Sequence, residues 1–213
     1  MHPKLQKSIR ELYTAYSVFD KPSQIDSCEC CHTEEEKKIL VSNSLESLTC
    51  DQLNDFVISS FNTIGDAEDF LYFLPRILEL AFTDYQEFDC DVGLLGHKLY
   101  QSRFWERGET LKSSVDSALL AHFEHQVLQD TDWNYQMSDW VCCVGNATPE
   151  IQPFLSLLLG SPYFKEFYEQ EHRYAVKGKL SDSFWEKNHG NRARIVSWLL
   201  GPESEARYWS FHV

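Results

Sequence analysis

Apolar side chains recur at intervals of three and four residues along most of the chain, a spacing that fits helices and excludes half-buried strands. Leu53, Phe56, Val57, Phe61 and Ile64 fall on one helical face. In EDFLYFLPRILELAF, Phe70, Leu74, Ile77, Leu78 and Ala81 form another. Convincing period-two alternation is absent, so the sequence predicts an all-α fold, either a single-domain helical bundle or stacked helix hairpins. No fixed repeat length emerges, which argues against a regular solenoid. The 213 residues suit one α-helical domain spanning 1–213, with any subdivision expected near 145–150. At 43% hydrophobic and 14% aromatic residues, the chain has the material for a core that disordered sequences lack.

Helix punctuation supports this reading. Residues 4–19 carry Leu5, Ile9, Leu12, Ala15, Tyr16 and Phe19 at helical spacing. Pro22 and a cysteine-rich stretch then read as a loop, followed by a short helix from Glu34 to Val41. Thr49-Cys-Asp-Gln52 has the form of a capping box, Gly65 is placed to end the helix it starts, and Asp66 with Asp69 can cap the next. Pro75 predicts a kink there, or two short helices. Residues 83–91 read as an acidic loop. Further helices are expected from Leu94 toward Trp105, from Leu111 to Val127, from Thr148 to Leu159, from Tyr163 to Tyr174 and from Ile195 to Leu200, the last stopped by Gly201-Pro202. Trp140 to Val144 is a short apolar run.

The charge is strongly asymmetric. There are 33 acidic and 19 basic side chains, a net −14, and residues 51–150 hold 18 acidic against 5 basic, a net −13. Such a field repels nucleic acid and anionic membrane surfaces and attracts a basic protein. No apolar run approaches the roughly 20 residues of a membrane span, and the N-terminus lacks a secretory pattern. Seven cysteines, two pairs of them adjacent, are a poor disulfide framework. Together these predict a cytoplasmic, reducing location.

Chemistry-bearing motifs are few. Cys28-Glu-Cys30-Cys31-His32 puts three thiols and an imidazole in five positions, the donor types that zinc prefers, although a zinc signature usually has two separated pairs. The same loop is open to a redox role or to simple packing of small residues. His122 and His125 share a helical face. Glu169-Gln-Glu171-His172 has the Glu-x-x-His spacing of di-iron bundles but no second copy. Arg76, inside an apolar stripe, requires a carboxylate such as Asp66, Asp69 or Glu79. Phosphate-binding glycine loops and the Gly-x-Ser-x-Gly elbow are absent, so no catalytic residue is expected, and zinc is the one cofactor the residues suggest.

The stretch NTIGDAEDFLYFLPRILELAF (62–82), with Cys28-Glu-Cys-Cys31 upstream, resembles a group of uncharacterised bacterial proteins of this size. They share a short cysteine cluster, a leucine-rich segment and a Gly-Asp…Asp-Phe…Phe-Leu-Pro-Arg stretch. The resemblance covers roughly residues 28–82 and implies no catalytic residues. By analogy, small acidic proteins of this kind resemble immunity proteins encoded beside secreted toxins. The expectation is therefore a non-enzymatic immunity protein that occludes a basic toxin domain. Its contact surface would be Asp66, Glu68, Asp69, Asp84, Tyr85, Glu87, Phe88, Asp89 and Asp91, with Tyr85 and Phe88 as apolar anchors. The alternative is a zinc-binding protein or metal-dependent enzyme centred on Cys28, Cys30, Cys31 and His32.

Overall fold

In a computed structural model the chain is all-α. The described residues (2–84, 87–128, 137–185 and 190–212) form eleven α-helices and contain no strand beyond isolated bridges. The helices sort into two compact units. Unit 1 holds Met1–Asp91 and Gln101–Ala118, and unit 2 holds Val92–Tyr100 and Leu119–Val213. Residues 145–150 lie inside unit 2.

Unit 1 contains α1 (Pro3–Tyr16), α2 (Glu34–Ser42), α3 (Cys50–Ser59) and α4 (Ala67–Thr83). Each start follows from its cap. Pro3 opens α1, whose N-cap His2 accepts from the Lys4 amide. Thr33 and Glu36 form a reciprocal capping box on α2 (3.2 and 2.7 Å), and Gln52 reaches back to the Thr49 amide of α3 at 3.1 Å. The Asp66 carboxylate accepts from the amides of Glu68 (2.8 Å) and Asp69 (3.0 Å), while Asp69 accepts from the Asp66 amide.

The buried faces of α1 and α4 meet, with Leu5, Ile9 and Leu12 on one side and Leu74, Ile77, Leu78 and Ala81 on the other. Phe56 of α3 stands edge-on to Phe73 of α4 at 4.9 Å. α4 continues as one helix through Pro75, so the division into two short helices is not realised. α3 is shorter than its apolar spacing predicts. It stops at Ser59, Phe61 takes a left-handed backbone (φ 64°) and packs on Phe70 at 5.1 Å, and Gly65 (φ 62°) turns the chain toward α4.

Arg76 meets its expected partner. Its guanidinium donates to Glu79 at 2.7 Å and, through Nε, to the Leu48 carbonyl at 2.8 Å. The same Glu79 oxygen accepts the Tyr13 hydroxyl of α1 at 2.6 Å. The Tyr13 hydroxyl is held far above its ordinary pKa, first by burial and then by its bond to the Glu79 carboxylate.

Unit 2 contains most of α5 (Val92–Ser102), the second half of α6 (Glu109–Leu128), and α7 (Met137–Ala147), α8 (Gln152–Gly160), α9 (Phe164–Ala175), α10 (Asn191–Leu199) and α11 (Pro202–Trp209). The run Trp140–Val144 is the middle of α7, a helix buried on nearly every side. α5 passes it so closely that a Cβ at Gly96 would lie 2.4 Å from the Cys143 Cα, a contact only glycine allows. α8 starts at Gln152, later than Thr148, because Thr148, Pro149 and Glu150 form the approach to it. Gly201-Pro202 ends α10 but also opens α11, with Pro202 in its first turn; the apolar spacing of the sequence does not predict this last helix.

Removing Glu79 leaves the Arg76 guanidinium, about a fifth exposed, without its carboxylate. Glu79→Ala is expected to lower unfolding free energy by about 2 kcal/mol, and Tyr13→Phe by about 1 kcal/mol. Urea unfolding followed by circular dichroism measures both; a larger loss from Tyr13→Phe than from Glu79→Ala contradicts the assignment.

Candidate functional site

Two surface features of unit 1 carry chemistry, and the first is the cysteine turn. Residues 26–32 are pinned to the segment after α3. Cys28 donates its amide to the Thr63 carbonyl and Gly65 donates to the Asp26 carbonyl, each at 2.8 Å, around a single antiparallel bridge of Ser27 to Ile64. Ile25, buried at the base, holds the approach. The amides of Cys31 (3.0 Å) and His32 (3.2 Å) then fold back onto the Cys28 carbonyl, and the turn feeds the Thr33 cap of α2.

This backbone brings three exposed thiols together. The sulfurs of Cys28 and Cys30 are 2.9 Å apart, those of Cys30 and Cys31 3.6 Å, and all three lie within 4.8 Å of one another. Two sulfurs on one tetrahedral zinc, each about 2.3 Å from it, are about 3.8 Å apart, close to the Cys30–Cys31 spacing, whereas Cys28 and Cys30 would have to separate to share a soft cation. His32 is not part of the cluster: its Nε2 lies 3.0 Å from Thr63 Oγ1. The sulfurs differ in acidity. The Cys30 thiol hydrogen bonds to Cys28, which lowers the Cys28 pKa and raises that of Cys30 to about 11. The other four cysteines are buried, and burial raises the thiols of Cys50 and Cys142.

The second feature is the acidic segment, whose nine expected contact residues divide. Asp66 and Asp69 are engaged in capping α4. Glu68 is neutralised by Arg107 at 2.6 Å. Asp84, Glu87 and Asp89 are exposed and, among the described residues, take part in no ion pair; Asp91 is exposed as well. Asp84 ends α4 and accepts from the amides of Glu87 (2.8 Å) and Phe88 (3.0 Å) through its carbonyl.

Phe88 overturns the expectation of an exposed anchor. It is 3% exposed, because the turn at Asp84 directs its ring inward while Glu87 and Asp89 on either side face solvent. Tyr85 lies outside the described residues. Asp51, exposed in the first turn of α3, adds to this charge: after burial, the largest cause, Asp84, Glu87 and Asp51 raise the Cys50 thiol while Arg76 acts in the opposite direction. Its distance in sequence hid it.

The remaining motifs have structural roles. His122 is fully buried beside the Trp140 ring at 4.3 Å, and desolvation lowers its pKa to about 3. Glu169 accepts from the Tyr208 hydroxyl at 3.1 Å, and Glu171, 2% exposed, accepts from the Ser181 amide at 2.9 Å and from its hydroxyl. Among the described residues the three cysteines are the group of His, Cys, Asp or Glu whose ligand atoms converge. No known protein family, curated protein or solved structure matches the chain. No described helix is long and apolar enough to cross a membrane.

The acidity difference has a kinetic consequence. Because thiolates, not thiols, are alkylated, iodoacetamide at about pH 7.5 is expected to modify Cys28 well before Cys30, and Cys30 is expected to gain reactivity only as pH approaches 11. Peptide mass spectrometry over time reads the order; Cys30 reacting first contradicts it.

Proposed function

We propose that the chain is a non-catalytic capture protein for a basic protein, and that it acts as a cytosolic immunity protein occluding the catalytic domain of a secreted toxin. The observation that carries this reading is the exposure, without ion pairs among the described residues, of Asp84, Glu87 and Asp89 beside Asp51. Exposed carboxylates outside ion pairs leave a local negative potential, which steers a positive partner and raises its association rate. With Phe88 turned inward, charge is what the described residues of this surface offer, so binding through them weakens with salt. The resemblance of residues 28–82 to small bacterial proteins of this composition supports the immunity form of the reading.

The test is copurification with the product of the neighbouring gene, followed by charge reversal. Asp84→Lys, Glu87→Lys and Asp89→Lys together are expected to slow association roughly tenfold to a hundredfold at low ionic strength, with the difference shrinking at high salt. Surface plasmon resonance measures both rates. An unchanged association rate, or no partner at all, removes the reading.

A second reading is favoured by the convergence of three sulfurs. Cys28, Cys30 and Cys31 would hold a zinc ion, with water or an outside ligand in the fourth position while His32 stays on Thr63. Bound there, zinc would lock the turn and hold the thiolates deprotonated. Protein purified without chelator is expected to contain about one zinc per chain, lost in Cys28→Ser with a lower melting temperature. Metal-free protein of unchanged stability after zinc addition removes this reading.

A further inference from the structure

A cleft of about 490 Å³ lies in unit 2, well away in sequence from both features of unit 1. Tyr168 and His172 from α9 and Tyr208 and Trp209 from α11 line it, together with Glu169 and Glu205, the guanidinium-bearing Arg173 and the apolar Leu200. Tyr168 stacks on Tyr208 at 4.7 Å and on His172 at 4.9 Å, and Trp209 meets Tyr208 at 5.2 Å and 66°. Trp209 is 57% exposed, unusual for so large an apolar ring. Glu169 accepts the Tyr208 hydroxyl, and the Glu205 charge helps hold Tyr168 protonated after burial, the larger cause.

The guanidinium of Arg173, in the cleft wall, and that of Arg207 each have partners of their own. Arg173 lies over the Tyr174 ring at 5.1 Å and donates to the Gln170 carbonyl. Arg207 lies over Phe211 at 4.2 Å and donates to the Leu159 carbonyl at 2.9 Å. Among the described residues neither Glu169 nor Glu205 has an ion pair. Aromatic faces and carboxylates attract the same kind of ligand, a cation. An anion would meet two carboxylates against the one guanidinium of Arg173, and a neutral apolar group would desolvate those charges without compensation. A planar guanidinium stacks on rings and pairs with carboxylates through two parallel N–H groups, which a compact ammonium cannot do. The volume exceeds that of a simple ion and suits a side chain entering with its backbone.

We propose that this cleft binds an arginine side chain presented by the basic protein partner. The proposal rests on the capture reading above for the source of the arginine, and on the cleft alone for the chemistry. The test uses the full chain labelled with ¹⁵N, with the Trp209 indole signal assigned by Trp209→Phe, and titrates N-acetyl-arginine amide, tetramethylammonium and N-acetyl-glutamate. The arginine probe is expected to shift the Trp209 signal saturably. Glu169→Gln with Glu205→Gln, both at exposed positions, is expected to weaken binding about tenfold, and Glu205→Gln alone, which leaves the Glu169–Tyr208 bond in place, is expected to weaken it without changing the melting temperature. N-acetyl-glutamate is expected to cause no shift. Absence of a shift with arginine, or equal affinity in the double variant, overturns the site. Tetramethylammonium binding as tightly as arginine overturns the guanidinium assignment. Because the titration needs no partner, its failure leaves capture through Asp84, Glu87 and Asp89 standing, and its success does not depend on that surface.

Discussion

Arg76 is where the apolar pattern of unit 1 must accommodate a charge. It stands in the α4 stripe, about a fifth exposed, and a cation in that position needs a carboxylate within reach. Glu79, one turn further along the helix, supplies it and then takes a second donor from Tyr13 of α1. The Nε of Arg76 meanwhile fixes the Leu48 carbonyl, just before the cap of α3. One carboxylate and one guanidinium thus tie three segments that hydrophobic contact alone would leave free to slide, since apolar stripes specify a face but not a register. The cysteine turn hangs from the same frame, through Thr63 and Gly65 between α3 and α4.

What the sequence made legible follows from how local each signal is. The caps at Thr49 and Asp66 and the start of α2 at Glu34 are decided by residues within a turn of one another, and they form as the spacing implies. The premature end of α3 was hidden because Phe61 and Ile64 keep helical spacing; half-buried Phe61 instead packs its ring on Phe70, and Ile64 is buried where it pairs with the cysteine turn. α7 was hidden for a different reason. A helix buried all round has no polar stripe to reveal its period, so only its most apolar centre stood out. α11 is short and partly aromatic, and its contribution to the cleft depends on α9, about forty residues earlier.

The cysteines separate into two populations that composition cannot distinguish. Cys50, Cys90, Cys142 and Cys143 behave as small hydrophobes, with burial raising the thiols of Cys50 and Cys142. Cys28, Cys30 and Cys31 are exposed and mutually hydrogen bonded, which makes one sulfur more acidic at the expense of its neighbour. The difference comes from the backbone: the pinned turn presents these sulfurs outward and together, whereas a helix would spread them around its circumference.

The acidic excess sorts itself in the same way. Some carboxylates are consumed by the fold: Asp66 and Asp69 in a helix cap, Glu79 on Arg76, and Glu171 on Ser181 in the interior of unit 2. Glu68 is offset by Arg107. Among the carboxylates that are exposed and in no ion pair among the described residues are Asp84, Glu87 and Asp89 in one unit and Glu169 and Glu205 in the other, together with others spread along the chain such as Asp20, Glu35, Glu46, Asp55 and Glu166. Exposed charges of one sign add little to folding and oppose compaction, so their retention without counter-ions is hard to account for by stability. The two groups differ in what surrounds them. Among the described residues of the Asp84 loop the one ring, Phe88, is buried, and the exposed side chains carry charge suited to long-range attraction. At the cleft the rings are part of the surface, which adds short-range, shape-dependent contact to the charge. Under the two proposals above, the first place would supply fast, nonspecific attraction and the second selectivity for a planar cation.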